Sequence, residues 1–154
     1  MSRDGGTVGC LACDLSFGRR ELPGGAIYAD ASWRVEHCTG PLGVGTLIVK
    51  PTRHVEHISD LSATESERLG PLLTKTASVV ETLCTPEQVY VCLWSHGPVH
   101  VHFVVQPESA ESIELYSTYG PALQAAMFAD GRLPPTEEVL SFCERAREIF
   151  GHRG

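Results

Sequence analysis

The longest periodic stretch of the chain is "SATESERLGPLLTKTASVVETLC", which begins at Ser62. Leu69, Leu72, Leu73, Val79, Val80 and Leu83 recur in it at helical spacing. Ser62 followed by Glu65 matches a capping box, so a long helix opening at Ser62 is predicted. Gly70-Pro71 is expected to disturb its first turns, because proline has no N–H and its ring crowds the preceding turn. Upstream, a turn-rich stretch leads into a strand near residues 25–29, and "WRVEHC" reads as a second strand. After the turn "PLGVG", "TLIVK" at 46–50 has the length and β-branched content of a buried strand. Downstream, "QVYVCLW" at 88–94 and "VHVHFVVQ" at 99–106 flank a Gly-Pro turn, which predicts an antiparallel hairpin. Beyond Pro107 the period returns to helical, breaks at "ADGRLPP" and resumes over 136–150. The fold class is therefore α+β, with a core domain over residues 1–107 and a helical extension of that domain over 108–154.

Size and charge narrow the range of partners. A chain of 154 residues can bury one core and one site. Twelve basic residues against nineteen acidic give a net charge of −7, and no Lys/Arg-rich block supplies the footprint that a nucleic acid backbone requires. "MSRDGGTVG" has no apolar signal core, and no apolar run reaches the roughly 18 residues of a membrane span. A cytoplasmic protein is expected. Its six cysteines are then thiols, and a close pair is read as metal-binding. Cys10 and Cys13 in "CLAC" are that pair, whereas Cys38, Cys84, Cys92 and Cys143 are scattered small apolar residues.

The histidines are the unusual feature of the second hairpin strand. Alternate strand residues share a face, which places His100 and His102 on one side about 7 Å apart, with Val104 and Gln106 continuing the row. Val101, Phe103 and Val105 are left for the core. A tetrahedral zinc ion takes four N or S ligands, and Cys10, Cys13 and one or two histidines can supply them.

The order CxxC, "KPTRHVEHISDLSATE" leading into a helix, then a hairpin strand "HVHFVVQP", resembles the histidine triad superfamily of nucleotide hydrolases and transferases over about residues 10–107. The resemblance implies an antiparallel sheet with a long helix, and a homodimer. From zinc-containing members such as galactose-1-phosphate uridylyltransferases it implies the ligands Cys10, Cys13, His54 and His100, with His57 of "HVEH" competing for the third place. Four protein ligands leave no open position, so the zinc is structural. The middle histidine, His102, becomes the nucleophile that forms a nucleotidyl-histidine intermediate.

Three departures accompany the resemblance. The third triad position, His or Gln in the family, is Val104, which donates no hydrogen bond; Gln106 lies one step further along the same face. The turn that carries phosphate donors is shortened to "WSHGPV", which assigns that work to Ser95 and His96. The ribose-binding Asp or Asn is replaced by His37 and Cys38, at or near its position. The expected function is hydrolysis or transfer at a nucleotidyl phosphorus, P–O or P–N, through His102. The alternative is a nucleotide- or phosphate-binding protein without turnover, which Val104 favours. A metal-dependent cupin-like enzyme using the HxH pair is disfavoured by the long capped helix, since that fold is nearly all β.

Overall fold

A computed structural model describes residues 6–151; residues 1–5 and 152–154, the ends of the two expected segments and most of the stretch read for a signal, lie outside the described residues. Five strands form one antiparallel sheet: β1 Ala26–Ala29, β2 Trp33–His37, β3 Leu47–Pro51, β4 Gln88–Cys92 and β5 Phe103–Glu108, in the order β1-β2-β3-β5-β4. The helices are α1 Leu11–Ser16, α2 Ala63–Cys84, α3 Ala110–Tyr116, α4 Gly120–Asp130 and α5 Thr136–Gly151. None is long and apolar enough to cross a membrane.

The expected capping box is present at the start of α2. Ser62 Oγ accepts from the Glu65 N–H at 3.2 Å, and the Glu65 carboxylate accepts from the Ser62 N–H at 2.8 Å. Contrary to expectation, α2 runs through Pro71 without a break. Pro71 and Glu67, whose carbonyl loses its partner, are both exposed, so water can satisfy the freed group. Ser62→Ala is expected to cost about 1 kcal/mol, read as a lower denaturation midpoint at unchanged slope.

The two faces of the sheet have different coverings. Trp33, Val35, Leu47, Val49, Phe103 and Val105 face Val79 and Val80 of α2 and Val139, Phe142 and Ala146 of α5 in the main core. The C-terminal segment thus closes the core and is not an appendage to it. On the opposite face, α4 packs Leu123 and Met127 with Leu42 against Val104 and Tyr90. At the β2–β3 side the same face meets α1, whose Ala12 carbonyl accepts from Lys50 Nζ at 2.7 Å. Between α1 and α4 a cleft stays open over the sheet.

The expected hairpin also differs. β4 and β5 pair antiparallel, but their connection spans residues 93–102, so His100 and His102 precede the strand instead of lying within it. The Val101 N–H is drawn away from the ladder to the Val55 carbonyl at 2.7 Å, which bends the chain over the sheet end.

Candidate metal centre and the adjoining cleft

Three separate segments converge at the β3–β5 end of the sheet. Gly9, at φ 84°, turns the chain so that Cys10 caps α1, and Cys13 follows one helical turn later on the same side. His54 follows the end of β3, and His100 comes from the connection before β5. One ligand atom from each of Cys10, Cys13, His54 and His100 lies within 4.8 Å of every other. Cys13 Sγ is 3.5 Å from His54 Nδ1 and 3.4 Å from His100 Nδ1, and Cys10 Sγ is 3.6 Å from His100 Nδ1. Zinc–sulfur and zinc–nitrogen bonds at tetrahedral angles require about 3.6 Å between S and N.

The outer nitrogens of both rings are held. His100 Nε2 donates to the Pro51 carbonyl at 2.8 Å, and His54 Nε2 donates to the Glu56 carboxylate at 3.3 Å. Each ring therefore turns an unprotonated Nδ1 to the common point, the outer-shell arrangement of metal-bound histidines. Burial, countered by the Pro51 carbonyl, pushes His100 down to about 4, so it is neutral at pH 7. Burial pushes the Cys13 thiol up, and a divalent cation supplies the charge that ionises it. The cluster can hold a zinc ion. His57 lies apart from it, exposed at the start of the short 3-10 turn Ile58–Asp60.

His102 stands beside this centre. Its Nδ1 is 2.8 Å from the His100 carbonyl, and because a carbonyl only accepts, Nδ1 carries the proton and Nε2 keeps its lone pair. The residue borders a cleft of about 650 Å³ and a smaller hollow of about 350 Å³ on its other side. The cleft floor is formed by Glu36, Ile48, Lys50 and Val104, and its edges by Leu11, Val99 and Phe128.

No family model and no curated protein matches the sequence. Solved structures do match. A Hit-like protein involved in cell-cycle regulation from Bartonella henselae superposes with a TM-score of 0.70 at 14% identity, over 94% of this chain and 98% of that one. A hypothetical histidine triad nucleotide-binding protein from Sulfolobus tokodaii gives 0.69 at 13% identity, over 91% of each chain. A zinc-bound histidine triad family protein from Mycobacterium smegmatis gives 0.67 at 16% identity, over 94% and 97%. The chain has the histidine triad fold.

Within that fold, several residues expected at the ligand are used elsewhere. Gln106, 1% exposed, spends its amide on the docking of α4: Oε1 accepts from Gln124 at 2.8 Å and Nε2 donates to Met127 Sδ at 3.3 Å. His37 is among the residues that border the cleft, but it falls on the core-facing phase of β2 with Trp33 and Val35, its ring edge-on to Phe142. Its Nε2 accepts from the Gly45 N–H at 2.9 Å and its Nδ1 donates to the Cys38 carbonyl at 2.8 Å, so the ring is fully engaged. Cys38 does line the cleft, with its thiol accepting from the Gly40 N–H and pushed up by burial. Ser95 borders only the smaller hollow, and exposed His96 borders neither space next to His102. The longer connection carries both residues outward. His96→Ala is accordingly expected to change kcat by less than about 3-fold, far below the loss of about 100-fold or more for a donor that meets developing charge.

Two cleft residues went unnoticed in the sequence. Lys50 Nζ meets Glu36 Oε1 at 2.6 Å, an ion pair almost wholly buried between β2 and β3. Burial pushes Glu36 up and Lys50 down, and each partner opposes the other's shift. Lys50→Met is expected to cost about 3–5 kcal/mol, because it strands a buried carboxylate, whereas Lys50→Met with Glu36→Leu recovers most of that stability. Chemical denaturation of the two variants checks this.

Proposed function

We propose that the cleft binds a nucleotide and that the protein hydrolyses or transfers at its nucleotidyl phosphorus, with His102 as nucleophile. The supporting observation is the His102 imidazole, held by Nδ1–H on the His100 carbonyl while Nε2 is free beside the cleft. Nε2 attacks phosphorus, a P–N bond to His102 forms, and the leaving group departs with the electrons of its broken P–O or P–N bond. Water or another acceptor then attacks that phosphorus and loses its proton to solvent; the new bond to phosphorus forms as the P–N bond to His102 breaks, and its electrons return to Nε2 to restore the neutral imidazole. Zinc at Cys10, Cys13, His54 and His100 acts structurally, holding the segments on which His102 depends.

Val104 shapes the choice of leaving group. It packs among Leu42, Leu123 and Met127 and has no proton to give, so a leaving phosphate, stable as an anion, suits the site better than an amine that must be protonated. A dinucleoside polyphosphate is expected to turn over faster than a nucleoside phosphoramidate. The same residue favours the second reading, a binding protein without turnover. Incubating zinc-loaded protein with both substrate classes separates the readings: released nucleoside monophosphate supports catalysis, and measurable affinity without release supports binding alone. Val91, Leu93 and Trp94 lie exposed on and beyond edge strand β4, which supports pairing of two copies; light scattering tests it.

A further inference from the structure

We propose that Glu36 selects the nucleobase, accepting a hydrogen bond from an exocyclic amino group; the inference rests on the nucleotide reading above. The cleft presents an apolar rim over a charged floor. Phe128 of α4 lines it yet is 56% exposed, and Leu11 of α1 faces the same space. An open aromatic ring at a cleft edge suits a planar partner that stacks on it. Beneath lies Glu36, 3% exposed, which a purely apolar ring would leave unsatisfied.

The hydrogen bonding of Glu36 leaves one oxygen for a ligand. Oε1 accepts from Lys50, while Oε2 makes no hydrogen bond among the described residues and is not sealed off from the cleft that its side chain lines. Lys50 is held by Glu36 and the Ala12 carbonyl, so the carboxylate is fixed in place before anything binds. A fixed acceptor discriminates strongly, because a ligand lacking the donor leaves it desolvated and unpaired.

Sheet register sets the span between this acceptor and the reacting group. Val49 pairs with Phe103, the first residue of β5, and Ile48 with Val104; His102 precedes Phe103 by one residue and Lys50 follows Val49 by one, Arg34 is opposite Lys50, and Glu36 lies two residues further along β2. From His102 to Glu36 is thus two strand spacings and two residue rises, about 12 Å between backbones. A nucleoside 5′-phosphate covers such a span from its phosphorus to its base edge. With phosphorus at His102 the base reaches Glu36.

The test is calorimetric titration of zinc-loaded protein with nucleoside 5′-monophosphates in pairs that differ only by the amine. The pairs are adenosine against purine riboside, guanosine against inosine, and cytidine against pyrimidin-2-one riboside. In at least one pair the amine-bearing member is expected to bind about 10- to 100-fold more tightly. Glu36→Gln, checked for folding by its melting temperature, turns an amide N–H to the ligand and is expected to abolish or reverse the preference. If that variant does not fold, Glu36→Asp, which keeps the charge but withdraws it, is expected to lower the ratio. Equal affinities within each pair at measurable binding overturn the role of Glu36 while the nucleotide reading stands. Absence of binding by every monophosphate overturns both.

Discussion

His102→Asn is expected to lower turnover by at least about 10³-fold on any substrate that the protein cleaves, with melting temperature and zinc content unchanged. Asparagine is the informative replacement because its side-chain N–H can still donate to the His100 carbonyl, as His102 Nδ1 does at 2.8 Å. The half-buried side chain leaves little cavity behind, and the variant removes only the lone pair proposed to attack phosphorus. Substrate labelled at the reacting phosphorus and quenched in mid-turnover should give an acid-labile protein adduct with the parent and none with His102→Asn. Full activity in a correctly folded His102→Asn ends the covalent mechanism. It would leave in-line attack by water, which needs a general base that the cleft must then supply from Glu56.

The elements readable from sequence were those whose pattern is local. The helical period and the Ser62–Glu65 box produced α2, and the β-branched run produced β3. The start of β5 was not readable. "VHVHF" alternates like a strand throughout, but its pairing is decided by the Val55 carbonyl, which captures the Val101 N–H from far away in sequence. The continuity of α2 through Pro71 was not readable for a related reason, since the cost of that proline depends on whether the orphaned carbonyl faces water.

At the site, motif spacing drew attention to Cys10, Cys13, His54 and His100, and the structure brings these four together. The cleft-lining residues were harder to read, because a motif names positions without saying which way each side chain points. A one-residue change of phase turns the His37 ring edge-on to Phe142, although both His37 and its neighbour Glu36 border the cleft. The signal that could have found Glu36 and Lys50 was the polar alternation Arg34, Glu36 in β2 and the lone Lys50 in β3. Its meaning depends on the cross-strand register.

Zinc is expected at about one per chain, and removing it should have the largest effect on stability. The two buried or half-buried thiols and the two imidazoles join α1, the end of β3 and the connection before β5, which no other cluster of this kind ties together among the described residues. Zinc at a thousand times its Kd contributes about 4 kcal/mol. At about 2–4 °C per kcal/mol for a chain of this size, chelation should lower the melting temperature by about 8–16 °C. Cys13→Ser should match the chelated parent and no longer respond to chelator, whereas Cys38→Ser keeps both the metal and the response. Because the thiols must lose protons to bind, falling pH drives the metal off, and the difference between loaded and chelated protein should shrink as the solution is acidified. Cobalt(II) in place of zinc should show the visible absorption of a tetrahedral thiolate site, and lose it in Cys13→Ser. Metal-free protein from zinc-replete cells, with Cys13→Ser melting like the parent, would mean that these distances record only thiol–imidazole hydrogen bonds. His102 would then be positioned by its own bond to the His100 carbonyl and by the Val101–Val55 and His100–Pro51 bonds, and chelation would leave that geometry untouched.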